Sequence, residues 1–165
     1  MNVDQIAKLK KISQQLRKSV IRELSEAGSG HSAGCLGFAD VMAVLYFHAM
    51  RLDPENPNWE YRDIFVMSNG HYAPLLYATL AERGFFDKKE LANLRKFGSK
   101  LQGHPERGSL PGIETTSGPL GCGLSQAAGM AYSLQYLGGN SERFVYCSLG
   151  DGELDEGNIW EAAMF

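Results

Sequence analysis

The sequence of 165 residues lacks a CxxC pair and any apolar run long enough to span a membrane. Its three cysteines, at positions 35, 122 and 147, leave an odd number, so we expect neither a disulfide framework nor a structural zinc site. From the charged, amphipathic start we expect no signal peptide. These absences predict a reduced, cytoplasmic protein with no membrane partner.

The chain also lacks an excess of positive charge. Its net charge is −3 and its pI is about 5.8, which argues against nucleic acid as the main partner. Hydrophobic residues make up 44% and charged residues 21%, close to globular averages, so disorder is not expected. The length is sufficient for one domain with a core.

Glycine, in contrast, is abundant, with 19 residues against an expected frequency of about 7%. The glycines are clustered at 28–37, 98–112, 118–129 and 150–157. This clustering indicates that the glycines mark loops in these four segments.

The hydrophobic pattern predicts helices separated by two short strands. A helix is expected over 3–27, ending at Gly28, and a second, buried helix over Leu36 to Met50, which is apolar nearly all round. Further helices are predicted at 72–83, at 87–96, at 124–137 leading to Gly138-Gly139, and from about Asn158. Strands are predicted at 64–68 and 143–149.

Two buried strands separated by helices predict an α/β fold with a parallel sheet flanked by helices. Two strands alone are too few to make such a sheet stable, and the last helix has no strand after it. We therefore expect residues 1–165 to form an incomplete domain.

Both predicted strands end in polar, glycine-rich loops, Ser68-Asn69-Gly70-His71 and Gly150-Asp151-Gly152. Ligands of open α/β sheets bind beyond the carboxyl ends of the strands. One carboxylate there can bind a divalent cation such as Mg²⁺, while glycines let a diphosphate approach the backbone. The alternative is that tight turns after strands simply need glycine.

Other motifs are incomplete. An EF-hand starting at Asp151 would need glycine and glutamate where Glu156 and Ala162 stand. A dinucleotide fingerprint in the same loop fails at Asp155, and a hydrolase elbow fails at Ala127. The chain has no Walker lysine either.

His31, His71 and His104 all lie in glycine-flanked loops. A single loop histidine is usually a bystander, but three in such settings favour a polar pocket with proton-transferring groups.

Five short motifs occur in this order along the chain: SGHSAG, SNGHYAPLLYATL, GHPE, TTSGPLGCGLSQAAGMA and GDGELDEGNIWEA. This series resembles the amino-terminal, diphosphate-binding part of transketolases, above all the separate N-terminal subunit of enzymes split into two chains. The resemblance covers nearly all of 1–165 and implies the thiamine diphosphate-binding fold.

The resemblance implies transfer of a two-carbon ketol unit from a ketose phosphate to an aldose phosphate. It implies thiamine diphosphate with Mg²⁺, or Ca²⁺ or Mn²⁺ in its place. It also implies a C-terminal transketolase subunit or domain as partner, in a homodimer or heterotetramer.

The resemblance also assigns roles to individual residues. Asp151 would bind the metal and cofactor, and Gly152 the diphosphate. The cofactor would also be contacted by Gly118, Pro119, Leu120, His71 and Glu156. Catalytic roles would fall to His31, His71, His104 and Glu156. Glu156 and Glu161 match acidic positions of a carboxylate network across the dimer interface.

Three features depart from the family pattern. Cys122 replaces a common glutamine, and GHSAG replaces the frequent GHPG, which could alter the stiffness of that loop. The second half of the cofactor motif would lie beyond Phe165. The alternatives are another thiamine diphosphate enzyme, such as deoxyxylulose-phosphate synthase, and a non-catalytic homologous subunit.

Overall fold

The computed structural model describes residues 1–137 and 142–165, which form two parallel strands and the helices that cover them. The α-helices are α1 (Val3–Ala27), α2 (Ala33–Val44), α3 (Ala73–Arg83), α4 (Cys122–Tyr132) and α5 (Gly157–Met164). The strands are β1 (Ile64–Met67) and β2 (Val145–Ser148). The helix stop predicted at Gly138-Gly139 lies outside the described residues.

β1 and β2 pair in parallel, with Ile64 opposite Val145 and Met67 opposite Ser148. Asp63 sets this register at the start of the sheet: its carboxylate accepts hydrogen bonds from the Arg51 amide at 2.8 Å and the Phe144 amide at 2.9 Å. The predicted α/β fold with parallel strands is confirmed. The carboxyl ends of both strands therefore lie at the same edge of the sheet.

The core lies where α1, α2 and α3 pack together and against β1. The apolar stripe of α1, which includes Leu16 and Val20, faces this core, and α3 is buried along most of its length. The α1 helix ends as predicted at Gly28, whose φ of +66° is favourable for glycine. These helices hold the loop at 28–32 and the turn at 70–72 beside the sheet edge.

The second predicted helix differs in its bounds. It begins at Ala33 rather than Leu36 and ends in a π-helical turn, Leu45–Ala49. It is not buried all round, because one face only packs on α1 and α3; Val41 on the other face is 43% exposed.

The helix predicted at 87–96 is wrong. The structure has a 3₁₀ segment, Lys88–Asn93, capped by the Asp87 side chain, which accepts a hydrogen bond from the Lys89 amide at 2.9 Å. A 3₁₀ segment places residues three apart on one face, so Leu91 and Leu94 can both be buried. The chain then turns away at Arg95, whose φ is +60°.

Candidate functional site

The edge of the sheet beyond β1 and β2 is tied together by polar side chains. The Ser148 hydroxyl donates to Asn69 Oδ1 at 2.6 Å, and the Ser68 amide donates to the Ser148 carbonyl at 3.1 Å. The two loops after the strands are therefore fixed to each other, as open α/β sheets require for a site at this edge.

Glu153 is the centre of this arrangement, and the sequence analysis did not assign it a role. Its buried carboxylate accepts hydrogen bonds from the Gly150 amide at 2.9 Å, the Gly121 amide at 2.7 Å and the Ser68 hydroxyl. The Ser68 hydroxyl in turn accepts from the Gly123 amide at 3.0 Å. One carboxylate thus joins the ends of both strands to the start of α4. The only signal in the sequence was an acidic residue just after the Gly-Asp-Gly turn.

His71 lies in the 3₁₀ turn Gly70–Tyr72, at the start of α3. Its ring is 5.2 Å from the ring of His31 and 4.6 Å from that of Tyr72, edge-on to both. Burial lowers the pKa of His71, and the charges of His31 and His104 lower it further, whereas Glu153 and Asp151 oppose this. His71 is therefore close enough to His31, His104 and Asp151 to be affected by the charge of each.

His104 is held in place through its backbone. The Tyr77 hydroxyl lies 2.9 Å from the Gln102 carbonyl and 3.3 Å from the His104 carbonyl, and it donates to this pair of oxygens. Partial burial lowers the pKa of the His104 imidazole, and the nearby charges of Arg95 and His31 lower it further. A histidine in this environment favours the neutral form, which can both donate and accept a hydrogen bond.

Ser117, which immediately precedes the Gly118-Pro119-Leu120 loop, packs against Gly70 in the His71 turn. A Cβ added at Gly70 would lie 2.9 Å from the backbone carbonyl carbon of Ser117, so only glycine allows this approach. A Cβ at Gly118 would meet no atom within 4 Å, and Leu120 is 39% exposed. The loop therefore presents open backbone next to His71.

Asp151 and Gly152 are exposed at the end of β2, where Asp151 precedes a 3₁₀ turn, Gly152–Asp155. A Cβ at Gly152 would also meet no atom within 4 Å. Within 1–137 and 142–165, no three histidine, cysteine, aspartate or glutamate side chains gather as metal ligands. Asp151 is thus an accessible carboxylate at the edge of the sheet.

Glu156 and Glu161 are not brought to the histidines. Glu156 is exposed at the N-cap of α5, and Glu161 is exposed on α5 beside Ser125 and Ala128 of α4. In the part of the chain that the structure describes, neither side chain hydrogen-bonds to a histidine or to Asp151. Their predicted roles would need a contact from outside this set of residues.

The described helices include none that is long and apolar enough to cross a membrane.

Comparison with known proteins gives a consistent result. The family described as "Transketolase, thiamine diphosphate binding domain" matches residues 8–165. Human transketolase is 48% identical over 157 residues, which cover 95% of this chain. The 6-deoxy-6-sulfo-D-fructose transketolase subunit of Clostridium sp. (strain MSTE9) is 44% identical over 150 residues and 91% of this chain.

Solved structures agree with the sequence comparison. Transketolase from Campylobacter jejuni superposes with a TM-score of 0.85 at 38% identity, over 98% of this chain and 26% of that one. Pichia stipitis transketolase in complex with sedoheptulose 7-phosphate superposes with a TM-score of 0.88 at 36% identity, over 94% of this chain and 24% of that one. This chain spans about 25% of the length of human transketolase and 54% of the Clostridium subunit.

Proposed function

This chain belongs to the transketolase family, and from that premise we propose that it forms the diphosphate half of a thiamine diphosphate site. The enzyme that contains it would transfer a two-carbon ketol unit from a ketose phosphate to an aldose phosphate. The observation that supports this proposal is the shared edge of the sheet, where Asp151 is close enough to affect the pKa of His71 and Ser117, just before the loop at 118–120, packs against Gly70.

The residues at this edge fit the cofactor. Open backbone at Gly118 and Gly152 would admit a ligand without a clash. The buried Nδ2 of Asn69, next to the Gly150 turn, faces the Tyr72 hydroxyl, so this edge also carries a polar donor. An anion with several oxygen acceptors suits such an edge.

In this proposal Asp151 supplies one oxygen to Mg²⁺, or to Ca²⁺ or Mn²⁺, and Gly152 offers its backbone to the diphosphate. Mg²⁺ commonly takes few protein ligands and completes its shell with phosphate and water oxygens. Pro119 and Leu120 would lie along the aminopyrimidine side. When bound, thiamine diphosphate supplies the electron sink for cleavage of the carbon–carbon bond.

The histidines would transfer protons and bind hydroxyl groups. His71 would donate a hydrogen bond toward the cofactor. His31 and His104 would bind the hydroxyls of the donor sugar and move a proton to or from its oxygen. The lowered pKa values of His71 and His104 favour neutral imidazoles near pH 7, which suit this exchange.

The partners remain part of the proposal. A C-terminal transketolase subunit or domain would supply the pyrimidine-binding half, in a homodimer or heterotetramer. As the resemblance to the family implies, Glu156 and Glu161 would join a carboxylate network at that interface, and their exposure on and next to α5 leaves them accessible to a partner. The odd number of cysteines supports the cytoplasmic location that we propose with it.

Asp151→Asn tests the metal assignment. We expect the affinity for thiamine diphosphate in the presence of Mg²⁺ to fall by about a hundredfold, because the amide keeps one carbonyl oxygen but loses the negative charge that attracts the cation. Calorimetry on the active enzyme that contains this chain measures the effect. Asp155→Asn is the matched control, since Asp155 is exposed in the same turn. Equal affinity of the Asp151 variant and the control would refute the assignment.

A panel of donors tests the reaction itself. Two-carbon transfer from ketose phosphates should occur, and the panel should include 6-deoxy-6-sulfo-D-fructose, the sugar in the name of the Clostridium relative. Condensation of pyruvate in place of ketol transfer would favour the deoxyxylulose-phosphate synthase alternative. Cofactor binding without turnover of any donor would favour a non-catalytic subunit.

A further inference from the structure

Arg95 has an unusual backbone conformation. With a φ of +60°, it is the one residue other than glycine with positive φ among the described residues. This left-handed region is unfavourable for a residue with a long side chain, and such strain occurs often at functional sites. Arg95 belongs to none of the sequence motifs described above.

The surrounding chain forces this conformation. The Arg95 amide donates to the Leu101 carbonyl at 2.8 Å, which closes the loop between them. Leu94 and Leu101, at the two ends of that loop, are both buried in the core. The strain is therefore maintained by packing on either side.

The strained backbone directs the Arg95 side chain between two histidine loops. Its Nη1 donates to the Ser29 hydroxyl at 3.1 Å, just before His31 in the chain. Its guanidinium lies over Gly103, which precedes His104. A Cβ added at Gly103 would lie 2.9 Å from Arg95 Nε, so the glycine makes room for this contact.

Arg95 also adds a charge beside the imidazole of His104. The charged or titratable side chains that act on that imidazole are Arg95 and His31, and both disfavour its protonation. The Tyr77 hydroxyl contacts the His104 carbonyl and carries no charge near neutral pH. No carboxylate offsets the effect of Arg95 among the groups that shift His104.

We propose that Arg95 is a positioning residue that holds the His31 loop and the His104 loop at a fixed spacing by spanning Ser29 and Gly103. Its left-handed backbone, which the packing of Leu94 and Leu101 maintains, brings the guanidinium between the two loops. This inference rests on the proposed function, in which both histidines bind the donor sugar.

Arg95→Asn is the first test, because asparagine tolerates the left-handed region. In the active enzyme we expect a melting temperature at or above that of the unaltered protein. We expect kcat/KM for the ketose donor to fall by about ten- to a hundredfold, since both histidines lose their relative position. The His104 pKa, followed by NMR, should rise toward its ordinary value of about 6.5, and the acid limb of the pH profile should move with it.

Arg95→Lys separates charge from geometry. It keeps a positive charge near His104 but loses the planar fork that reaches Ser29 and Gly103. We expect the His104 pKa to stay low while kcat/KM recovers only in part. Lys96→Gln, which removes an exposed neighbouring charge, is the matched control and should leave the rate and the His104 pKa unchanged.

Three results would overturn the inference: a large drop in melting temperature in Arg95→Asn, failure of that variant to fold, or an unchanged His104 pKa with unchanged kcat/KM. The first two would assign Arg95 a structural role. If the unaltered enzyme transfers no ketol unit, the proposed function fails, while the melting temperature and the His104 titration still report on Arg95.

Discussion

Glu153 shows how one side chain can hold the loops of a candidate site together. Its carboxylate lies where three loops converge, and the two backbone amides that it binds, Gly121 and Gly150, belong to the segments that precede α4 and follow β2. A buried carboxylate that accepts several hydrogen bonds is favourable, but a buried one that loses them is costly. The arrangement therefore depends on both oxygens acting as acceptors.

Glu153→Gln should destabilise the fold by about 2–3 kcal/mol, because one acceptor oxygen becomes an NH₂ group that faces an N–H or O–H donor. Urea denaturation followed by circular dichroism measures the loss. The exposed Asp155 on the same turn gives the control Asp155→Asn, for which we expect a change within about 0.5 kcal/mol. Equal midpoints for the two variants would show that the Glu153 hydrogen bonds contribute nothing to stability.

At the scale of elements, the contact between α2 and the 3₁₀ turn at 70–72 depends on a missing side chain. A Cβ at Gly34 would lie 2.0 Å from Cζ of Tyr72, so the ring occupies the space that any other residue at 34 would need. Tyr72 also packs edge-on against His71, with ring centroids 4.6 Å apart. The start of α2 and the orientation of His71 are therefore linked through one aromatic ring.

Gly34→Ala should cost about 1–3 kcal/mol, because it overpacks this contact, and Tyr72→Ala in the same chain should recover most of that loss. A thermal-denaturation double-mutant cycle measures the coupling. Gly37→Ala in the same helix is the control: a Cβ there meets nothing within 4 Å, so helix propensity should make it neutral or stabilising. Additive effects at 34 and 72 would mean that the two residues do not compete for space.

The elements also show what the sequence could predict. Helix α1 followed from its apolar period and its glycine stop, and both strands followed from short apolar runs before glycine-rich turns. The error at 87–96 arose because burial of Leu91 and Leu94 in a 3₁₀ turn gives the same spacing as one turn of an α-helix.

The candidate site was predictable only in part. Histidines and an aspartate in glycine-rich loops are recognisable by residue type, whereas Glu153 and Arg95 act through contacts between distant segments. Neither contact leaves a local pattern, since it depends on how β2 and the loop ending at Leu101 pack against the rest of the chain.

At the scale of the whole molecule, buried titratable groups limit the pH range of stability. Burial raises the pKa of Glu23 to about 9, and neither of its carboxyl oxygens has a hydrogen-bond partner among the described residues. The folded state therefore keeps Glu23 protonated where the unfolded chain releases the proton. His71 and His104 act in the opposite direction: their lowered pKa values remove stability as the pH falls below about 6.5.

Stability should therefore fall as the pH rises from about 4.5 toward 9 by up to about 1.4 kcal/mol per pH unit from Glu23 alone. Glu23→Gln removes the ionisable group and should flatten the alkaline side of the profile, as measured by urea midpoints from pH 6 to 9. Glu26→Gln on the exposed face of the same helix is the control and should follow the unaltered protein. A midpoint that is constant in the unaltered protein over this range would contradict the assignment.

The pairing of β1 with β2 affects how quickly the protein folds. Asp63 and Phe144, which meet at the start of the sheet, are 81 positions apart in the chain. A contact over so long a sequence separation forms slowly, because the long intervening segment must close before the strands can pair. The helical layer can accordingly form early, while the two loops of the candidate site come together only with the slower association of β1 and β2.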